Sequence, residues 1–451
     1  MKKNYLKRLS MLTLSLVMVT SVLAGCGKSA GTSSSTSSGP AVASSKKPAE
    51  YKGELSVWSF TDELKTSKFI EEFNKVYPNL KIKLTVIPMD GNAYSTKLAS
   101  VLSSGAGAPD VYTSEVSFIN RFANLPHYED LSKAPYNAED LAKNMAQYSV
   151  DLGRNAADKG IRALSWQATP GGIFYKRSLA KEYFGTDDPE AISKMMTTTE
   201  DLIKMGTELK TKSAGKVSLL AGYGELYNIA QGSKKTPWVV NNKLTIDAKI
   251  MDYIGQAKAI RDGGIDAKIA QWSAPWAAAQ AGKNVFGFVL PTWGLNYVIQ
   301  TNAPKTKGDW ALAKAPADYY WGGTWVGMYN KSKQKDNAWQ FVKYITTDKD
   351  FLLKHAKDTG DFTTNLEVDK QVATTDAGKN EFCGGQNIAK TYLAMLPGVS
   401  GKLVTAYDET INNKFNANLD LYINGKTTKE KFLTQFRADV KTAYPDLDTA
   451  E

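Results

Sequence analysis

Residues 54–60, Glu54-Leu55-Ser56-Val57-Trp58-Ser59-Phe60, alternate apolar and polar side chains and read as a β-strand with one buried face. Immediately downstream, residues 66–77 place Phe69, Ile70, Phe73, Val76 and Tyr77 at helical spacing, and Pro78 stops that helix. Residues 81–86, Lys81-Ile82-Lys83-Leu84-Thr85-Val86, alternate again. A second helix is predicted over 93–104, with Tyr94, Leu98, Val101 and Leu102 on one face. The turn 105–109 then leads into a short strand, Asp110-Val111-Tyr112-Thr113. Strand, helix, strand, helix, strand is the pattern of a parallel α/β sheet with crossover helices. Such sheets bind ligands at the carboxyl ends of their strands.

Farther along, residues 181–269 are mostly helical, with clear stretches at 192–209 and 250–261. Phe286-Gly287-Phe288-Val289-Leu290 reads as a buried strand running into Pro291-Thr292-Trp293-Gly294. Gly322-Gly323-Thr324-Trp325-Val326-Gly327-Met328 reads as another strand. Residues 337–345 form a helix with Ala338, Phe341, Val342 and Ile345 inward, and 391–444 is helical again. No internal repeat is visible.

The first fifty residues belong to a different regime. Lys2, Lys3, Lys7 and Arg8 precede an apolar run over 11–22, and small residues lead to Leu23-Ala24-Gly25-Cys26. A basic start, a short apolar core and a small-residue cleavage site make a secretory signal peptide, over 1–25. The run is shorter than the roughly 20 apolar residues a transmembrane helix needs. Leu-Ala-Gly-Cys resembles the lipobox of bacterial lipoproteins, which implies cleavage before Cys26 and a diacylglycerol on its thiol. The Ser/Gly-rich stretch that follows carries no large apolar side chain and reads, over 26–50, as a flexible tether.

What remains of the 451 residues is too long for one ordinary core and points to two lobes. The formal net charge is +10, spread thinly, with no basic run interleaved with aromatics of the kind that tracks nucleic acid. With Cys26 committed to lipid, Cys383 stands alone and no intramolecular disulfide is available. The only two histidines, His127 and His355, are far apart and lack the spacing of a zinc site. Neither a Walker loop nor a Gly-x-Ser-x-Gly nucleophile elbow occurs, and no cofactor or metal is expected.

Five passages, in order, resemble the family 1 extracellular solute-binding proteins of bacterial ABC importers. They are the opening strand with the helix ending Phe73-Asn74-Lys75-Val76-Tyr77-Pro78-Asn79; Leu102-Ser103-Ser104-Gly105-Ala106-Gly107-Ala108-Pro109-Asp110-Val111; and Pro170-Gly171-Gly172-Ile173-Phe174-Tyr175-Lys176-Arg177. Gly282-Lys283 with Pro291-Thr292-Trp293-Gly294 follows, and then Trp321-Gly322-Gly323-Thr324-Trp325 with the helix 338–345. The resemblance implies a two-lobed, periplasmic-binding-protein-like α/β fold (type II-like), with the ligand in a cleft between lobes joined by several crossings. Mapped here, lobe one is 51–166 plus 322–363 and lobe two 168–320 plus 365–451. It further implies a monomer without enzymatic activity, tethered outside a Gram-positive membrane and docking on permease subunits. Thr61-Asp62-Glu63-Leu64 and Ser165-Trp166-Gln167 depart from the family pattern.

A sugar presents apolar ring faces and a fringe of hydroxyls, so its site needs flat aromatics and charged or amide acceptors. Trp293, Trp321 and Trp166 stand beside Gly or Pro or at crossings and are the first candidates to line the cleft, followed by Trp276 and Trp238. Asp62, Glu115, Gln167, Glu225 and Asp361 are candidates for the polar fringe, each with an alternative reading as a helix cap or solvated charge. Gly322 and Gly323 allow close approach of ligand or backbone. These residues favour a neutral oligosaccharide. An anionic sugar would call on Arg177, and a polyamine or peptide would keep the fold. A secreted glycoside hydrolase, with two carboxylates across a scissile bond, is the rival from another class.

Overall fold

The alternation at 54–60 produces strand β1 (Gly53–Ser59), whose Leu55 and Val57 are fully buried. A computed structural model describes residues 46–450 of the chain; the expected signal peptide, Cys26 and the tether as far as residue 45 lie outside the described residues. Two parallel neighbours flank β1, namely β2 (Leu80–Val86) and β3 (Val111–Glu115), with Gly53 opposite Leu80 and Val57 opposite Val111. Helix Ala93–Ser104 connects β2 to β3 and ends at Gly105, whose left-handed φ of 75° closes it. The periodic stretch at 66–77 forms two helices, Glu63–Thr66 and Phe69–Val76, because Lys68 between them adopts a left-handed φ of 62°.

The chain continues through β4 (Leu164–Ser165), β5 (Pro170–Lys176), β6 (Ser218–Leu220), the small hairpin β7 (Val239–Val240) and β8 (Lys243–Leu244), then β9 (Val285–Pro291). It goes on to β10 (Trp310–Ala313), β11 (Tyr319–Tyr320), β12 (Thr324–Met328) and the hairpin β13 (Lys379–Asn380) and β14 (Gln386–Asn387). One sheet has the order β2-β1-β3-β12-β4, the other β10-β5-β9-β6, with β11 paired to β5. The expected parallel arrangement holds for β1 to β3, whereas β12 runs antiparallel to β3 and β4, and β5 runs antiparallel to β9 and β10. The reason lies in the connections. β12 is entered directly from β11 and β5 directly from β4, so each starts at the edge where strands built by helical crossovers end.

Packing differs between the two sheets. Beneath the first, Phe73 stacks on Tyr77 with ring centroids 4.6 Å apart and meets Phe341 edge-on at 5.0 Å. Phe341 comes from helix Lys335–Thr347, which buries the Ala338, Val342 and Ile345 stripe read from the sequence. Beside the second, helices Ala248–Asp262, Asp408–Ile423 and Lys429–Ala443 bury Ile254, Phe415 and Phe436. The helical stretch at 192–209 is two helices, Pro189–Lys194 and Thr199–Lys212, since Thr198 caps the second by accepting from the Asp201 N–H at 3.1 Å. Replacing Phe73 by Ala is expected to cost about 3–5 kcal/mol of unfolding free energy. The Thr198→Ala cap variant should cost about 1 kcal/mol. Urea unfolding followed by far-ultraviolet circular dichroism checks both.

Candidate functional site

The chain leaves the first sheet for the second between β4 and β5 and returns between β11 and β12, and a third segment, residues 360–365, lies against the outgoing one. Their backbones bond to one another. The Ala168 N–H donates to the Phe362 carbonyl at 2.9 Å, Thr364 N–H to the Trp166 carbonyl at 3.1 Å, and Trp321 N–H to the Thr169 carbonyl at 3.1 Å. The Thr169 hydroxyl donates to the Gly322 carbonyl at 3.0 Å, and the Thr292 hydroxyl to the Ala168 carbonyl at 3.1 Å. The strand ends on both sides of these crossings carry the candidate site.

Four indoles gather there. Trp293, just past β9, donates its N–H to the Trp321 carbonyl at 3.0 Å, and the two rings meet edge-on at 5.3 Å. Trp272 lies 6.1 Å from Trp293, nearly parallel to it, 5.6 Å from Trp321 and 5.0 Å from Trp276. Trp293 and Trp321 are partly exposed, and Trp272 is 57% exposed. Trp276 is buried below, its N–H donating to Glu225 Oε1 at 2.8 Å, while the Val289 N–H donates to Glu225 Oε2 at 3.0 Å. Burial pushes the Glu225 carboxyl up to about 8, despite those two donors.

The other wall is built by the first sheet. Asp62 follows β1 and is exposed; Glu115 ends β3 and is half-buried. The Glu115 carboxylate caps helix Val116–Ala123, accepting from Ser117 N–H at 2.7 Å and its hydroxyl at 2.6 Å. Burial raises its pKa. Polar contacts join residues of the two walls. On one rim the Tyr297 hydroxyl bonds Glu63 Oε1 and Ser67 Oγ, each at 3.2 Å. On the other, Arg121 Nε lies 3.2 Å from Glu409 Oε2. Burial, then the negative charge of Asp361, raises the pKa of Glu63. Burial raises that of Glu409, with Arg121 opposing it.

Residues 58–350 match the family described as bacterial extracellular solute-binding protein. The chain belongs to that family. Among solved structures, it is similar to an extracellular solute-binding protein family 1 structure at 21% identity and a TM-score of 0.75, covering 86% of this chain and 99% of that one. The galacto-N-biose-/lacto-N-biose I-binding protein of Bifidobacterium longum, in complex with lacto-N-biose, shares 15% identity at a TM-score of 0.70, over 88% and 99% of the two chains. The sugar-binding protein MalE of Xanthomonas citri shares 16% at 0.68, over 87% and 97%. These likenesses establish the two-lobed α/β fold. No curated protein sequence matches the chain.

Within this solute-binding protein, several expected site residues turn out to be occupied by the fold itself. Trp238 is 1% exposed, tilted on Phe415 at 5.4 Å, edge-on to Phe436 at 5.8 Å, with its N–H donated to Asn412 at 2.7 Å. No face is left for a ligand, which corrects the expectation that Trp238 lines the cleft. Glu225 and Trp276 are likewise corrected: they form a buried pair beneath the indole cluster. Trp166 is buried against Phe69 at 4.9 Å; its N–H has no hydrogen-bond partner in good geometry but lies near enough to Glu63 to favour the ionised carboxylate. Gln167 and Asp361 are buried in the crossings, Gln167 in a bridge to Thr363, Asp361 with Oδ2 3.2 Å from His355 Nε2.

The glycines have a reason other than ligand approach. Gly322 has φ +73°, and a Cβ there would lie 2.7 Å from the Trp293 ring nitrogen; at Gly323, with φ +116°, it would lie 3.0 Å from Trp325. Arg177 is spent on the Trp310, Asp187 and Cys383 carbonyls and the Asp187 carboxylate. Trp272, Glu63 and Tyr297 were missed. The only hint of Trp272 is its place one residue before Ser273-Ala274-Pro275, a helix-start signal, since nothing local shows which wall a loop residue joins. Among the described residues, no group of three or more His, Cys, Asp or Glu side chains is placed to hold a metal ion.

The folded protein keeps a proton on Glu225 to about pH 8, whereas an ordinary glutamate loses it near 4.5. Stability from this group is therefore complete below about 4.5 and is lost as pH rises through about 8. Each pKa unit corresponds to about 1.4 kcal/mol. The melting temperature should accordingly fall between mildly acidic and mildly alkaline buffer, and Glu225→Gln should show a shallower decline, measured by calorimetry across that range.

Proposed function

We propose that this solute-binding protein captures a carbohydrate, in the form of a neutral oligosaccharide, and hands it to the permease of an ABC importer. The observation that carries the reading is the pairing of Trp293 with Trp321 at the strand ends where the crossings meet, partly exposed and held in orientation by the Trp293 N–H bond. Flat apolar rings of this kind take the face of a sugar. Asp62 and Glu115, at the ends of β1 and β3, supply charged acceptors for hydroxyls on the opposite wall. Solved relatives of similar fold are described in complex with lacto-N-biose, with β-1,6-galactobiose and with cycloalternan.

In this reading lobe one comprises 51–166 plus 322–363 and lobe two 168–320 plus 365–451, and they close by bending at the crossings. The Tyr297–Glu63 and Arg121–Glu409 contacts join the rims in the closed form. Closure then requires the ligand to bind the closed arrangement more tightly than the open one. Binding leaves the sugar chemically unchanged. Cys26 carries the lipid that holds the protein on the outer face of the membrane; no helix among the described residues is long and apolar enough to cross one.

A thermal-shift screen of residues 51–451 against mono- and oligosaccharides, polyamines and peptides tests the ligand class. A raised melting temperature with one sugar family, and intact sugar recovered afterwards, is the expected result. Cleaved sugar would point to a hydrolase, and a response to polyamines or peptides alone would overturn the carbohydrate reading. Trp293→Ala or Trp321→Ala should weaken the responding sugar by about tenfold or more. A second measurement concerns the anchor: Cys26→Ala should release the protein from the membrane fraction into the medium, and retention on the membrane would refute the lipid attachment.

A further inference from the structure

Trp272 combines two unfavourable features. It holds a left-handed backbone conformation, φ +67°, which side chains other than those of glycine and asparagine adopt rarely. It also exposes 57% of its surface, more than any other large apolar side chain described. Both are held in place by ordered neighbours. On one side Ile269 N–H donates to the Ala221 carbonyl at 2.9 Å, just past β6. On the other, Ser273 caps helix Ala274–Ala281, accepting from the Trp276 N–H at 3.3 Å. Lys268, four residues before, is left-handed as well, so the loop is bent twice to bring this indole where it stands. Backbone strain of this sort persists where the surroundings over-determine it, and it gathers at ligand sites.

Its surroundings say what it is for. Trp272 is tilted on buried Trp276 at 5.0 Å, lies 21° from parallel to Trp293 and meets Trp321 edge-on at 5.6 Å. The centroids of Trp272 and Trp293 are only 6.1 Å apart, too close to admit a sugar ring between them. With Trp321 they pack into one apolar cluster, of which Trp272 is the most exposed member. We infer that Trp272 is a stacking platform for a second sugar ring, next to the one held by Trp293 and Trp321, and that it makes the site selective for disaccharides and longer chains over monosaccharides. This inference rests on the carbohydrate reading above and adds a residue and a length preference to it.

The test is isothermal titration of residues 51–451, wild type and Trp272→Gly, with glucose, maltose, maltotriose, galactose and β-1,6-galactobiose, alongside unliganded melting curves. Glycine removes the indole and relieves the left-handed strain, so the variant's unliganded melting temperature should equal or exceed that of wild type. The best-bound di- or trisaccharide should weaken at least tenfold, with its advantage over the matching monosaccharide largely erased, and Trp272→Tyr should recover most of the affinity. Unchanged oligosaccharide affinity in Trp272→Gly, or an equal loss for mono- and disaccharide, overturns the inference while leaving the carbohydrate reading intact. A marked fall in melting temperature without loss of affinity would make Trp272 a packing residue. If wild type itself binds none of these sugars while responding to a polyamine or peptide, the carbohydrate reading falls and takes the inference with it.

Discussion

Three stretches of chain, 165–170, 320–324 and 360–365, lie side by side at the middle of the molecule and bond to one another through their backbones. Buried peptide groups must be paired. A segment passing between two sheets belongs to neither ladder, so its N–H and C=O groups pair with another crossing or with side chains beside it, as Thr169 N–H does with the Tyr148 hydroxyl and Thr363 N–H with Asp369 Oδ1. The bridge between Gln167 and Thr363, with the flanking bonds from Ala168 and Thr364, meets that requirement. The threonine hydroxyls of Thr169 and Thr292 add two more bonds to carbonyls of the crossings. In the proposed reading these few, local bonds keep the sheets joined while the lobes bend about them.

The same constraint fixes where the tryptophans stand. Trp321 donates its backbone N–H to the outgoing crossing and its carbonyl accepts from the Trp293 ring, so both indoles are tied to the crossings rather than to loop tips. Gly322 has no side chain because the Trp293 ring occupies the space one would need. Beneath them, Glu225 holds the Trp276 ring and the β9 backbone at once. Burial keeps this carboxyl protonated to about pH 8, so it holds the indole as a neutral group. It places a rigid floor under the exposed aromatic surface, where shape matters more than stability.

The rims of the gap use a different chemistry from its floor. Tyr297 with Glu63 and Ser67, and Arg121 with Glu409, are polar contacts between residues far apart in the chain. The Arg121–Glu409 pair is partly exposed, and ion pairs open to water contribute little net stability. Apolar contacts of the same extent would hold the gap shut without a ligand. In the proposed reading, aromatic floor and polar rim together let occupancy, rather than intrinsic adhesion, decide whether the gap is closed.

Much of the architecture was legible in the chain. The alternation at 54–60 and 81–86, the helix at 93–104 and the stripe of Ala338, Phe341, Val342 and Ile345 reappear almost residue for residue, since each is set by burial of one face of a local element. The helix breaks at Lys68 and Thr198 were missed because a left-handed residue and a cap leave the apolar period nearly intact. The site was less legible. Proximity to Gly or Pro singled out Trp293 and Trp321, which are partly exposed at the crossings, yet the same cue selected Trp238, which the helices 408–423 and 429–443 enclose. By itself the sequence determined many of the elements, the parallel run of the first strands and the family, because these depend on periodicity and on motifs contiguous in the chain. Only the tertiary structure decided which indoles face the gap, that Glu225 lies beneath rather than within it, and that Trp272 joins the wall, because exposure is a property of what packs alongside, and those neighbours come from segments far apart in the chain.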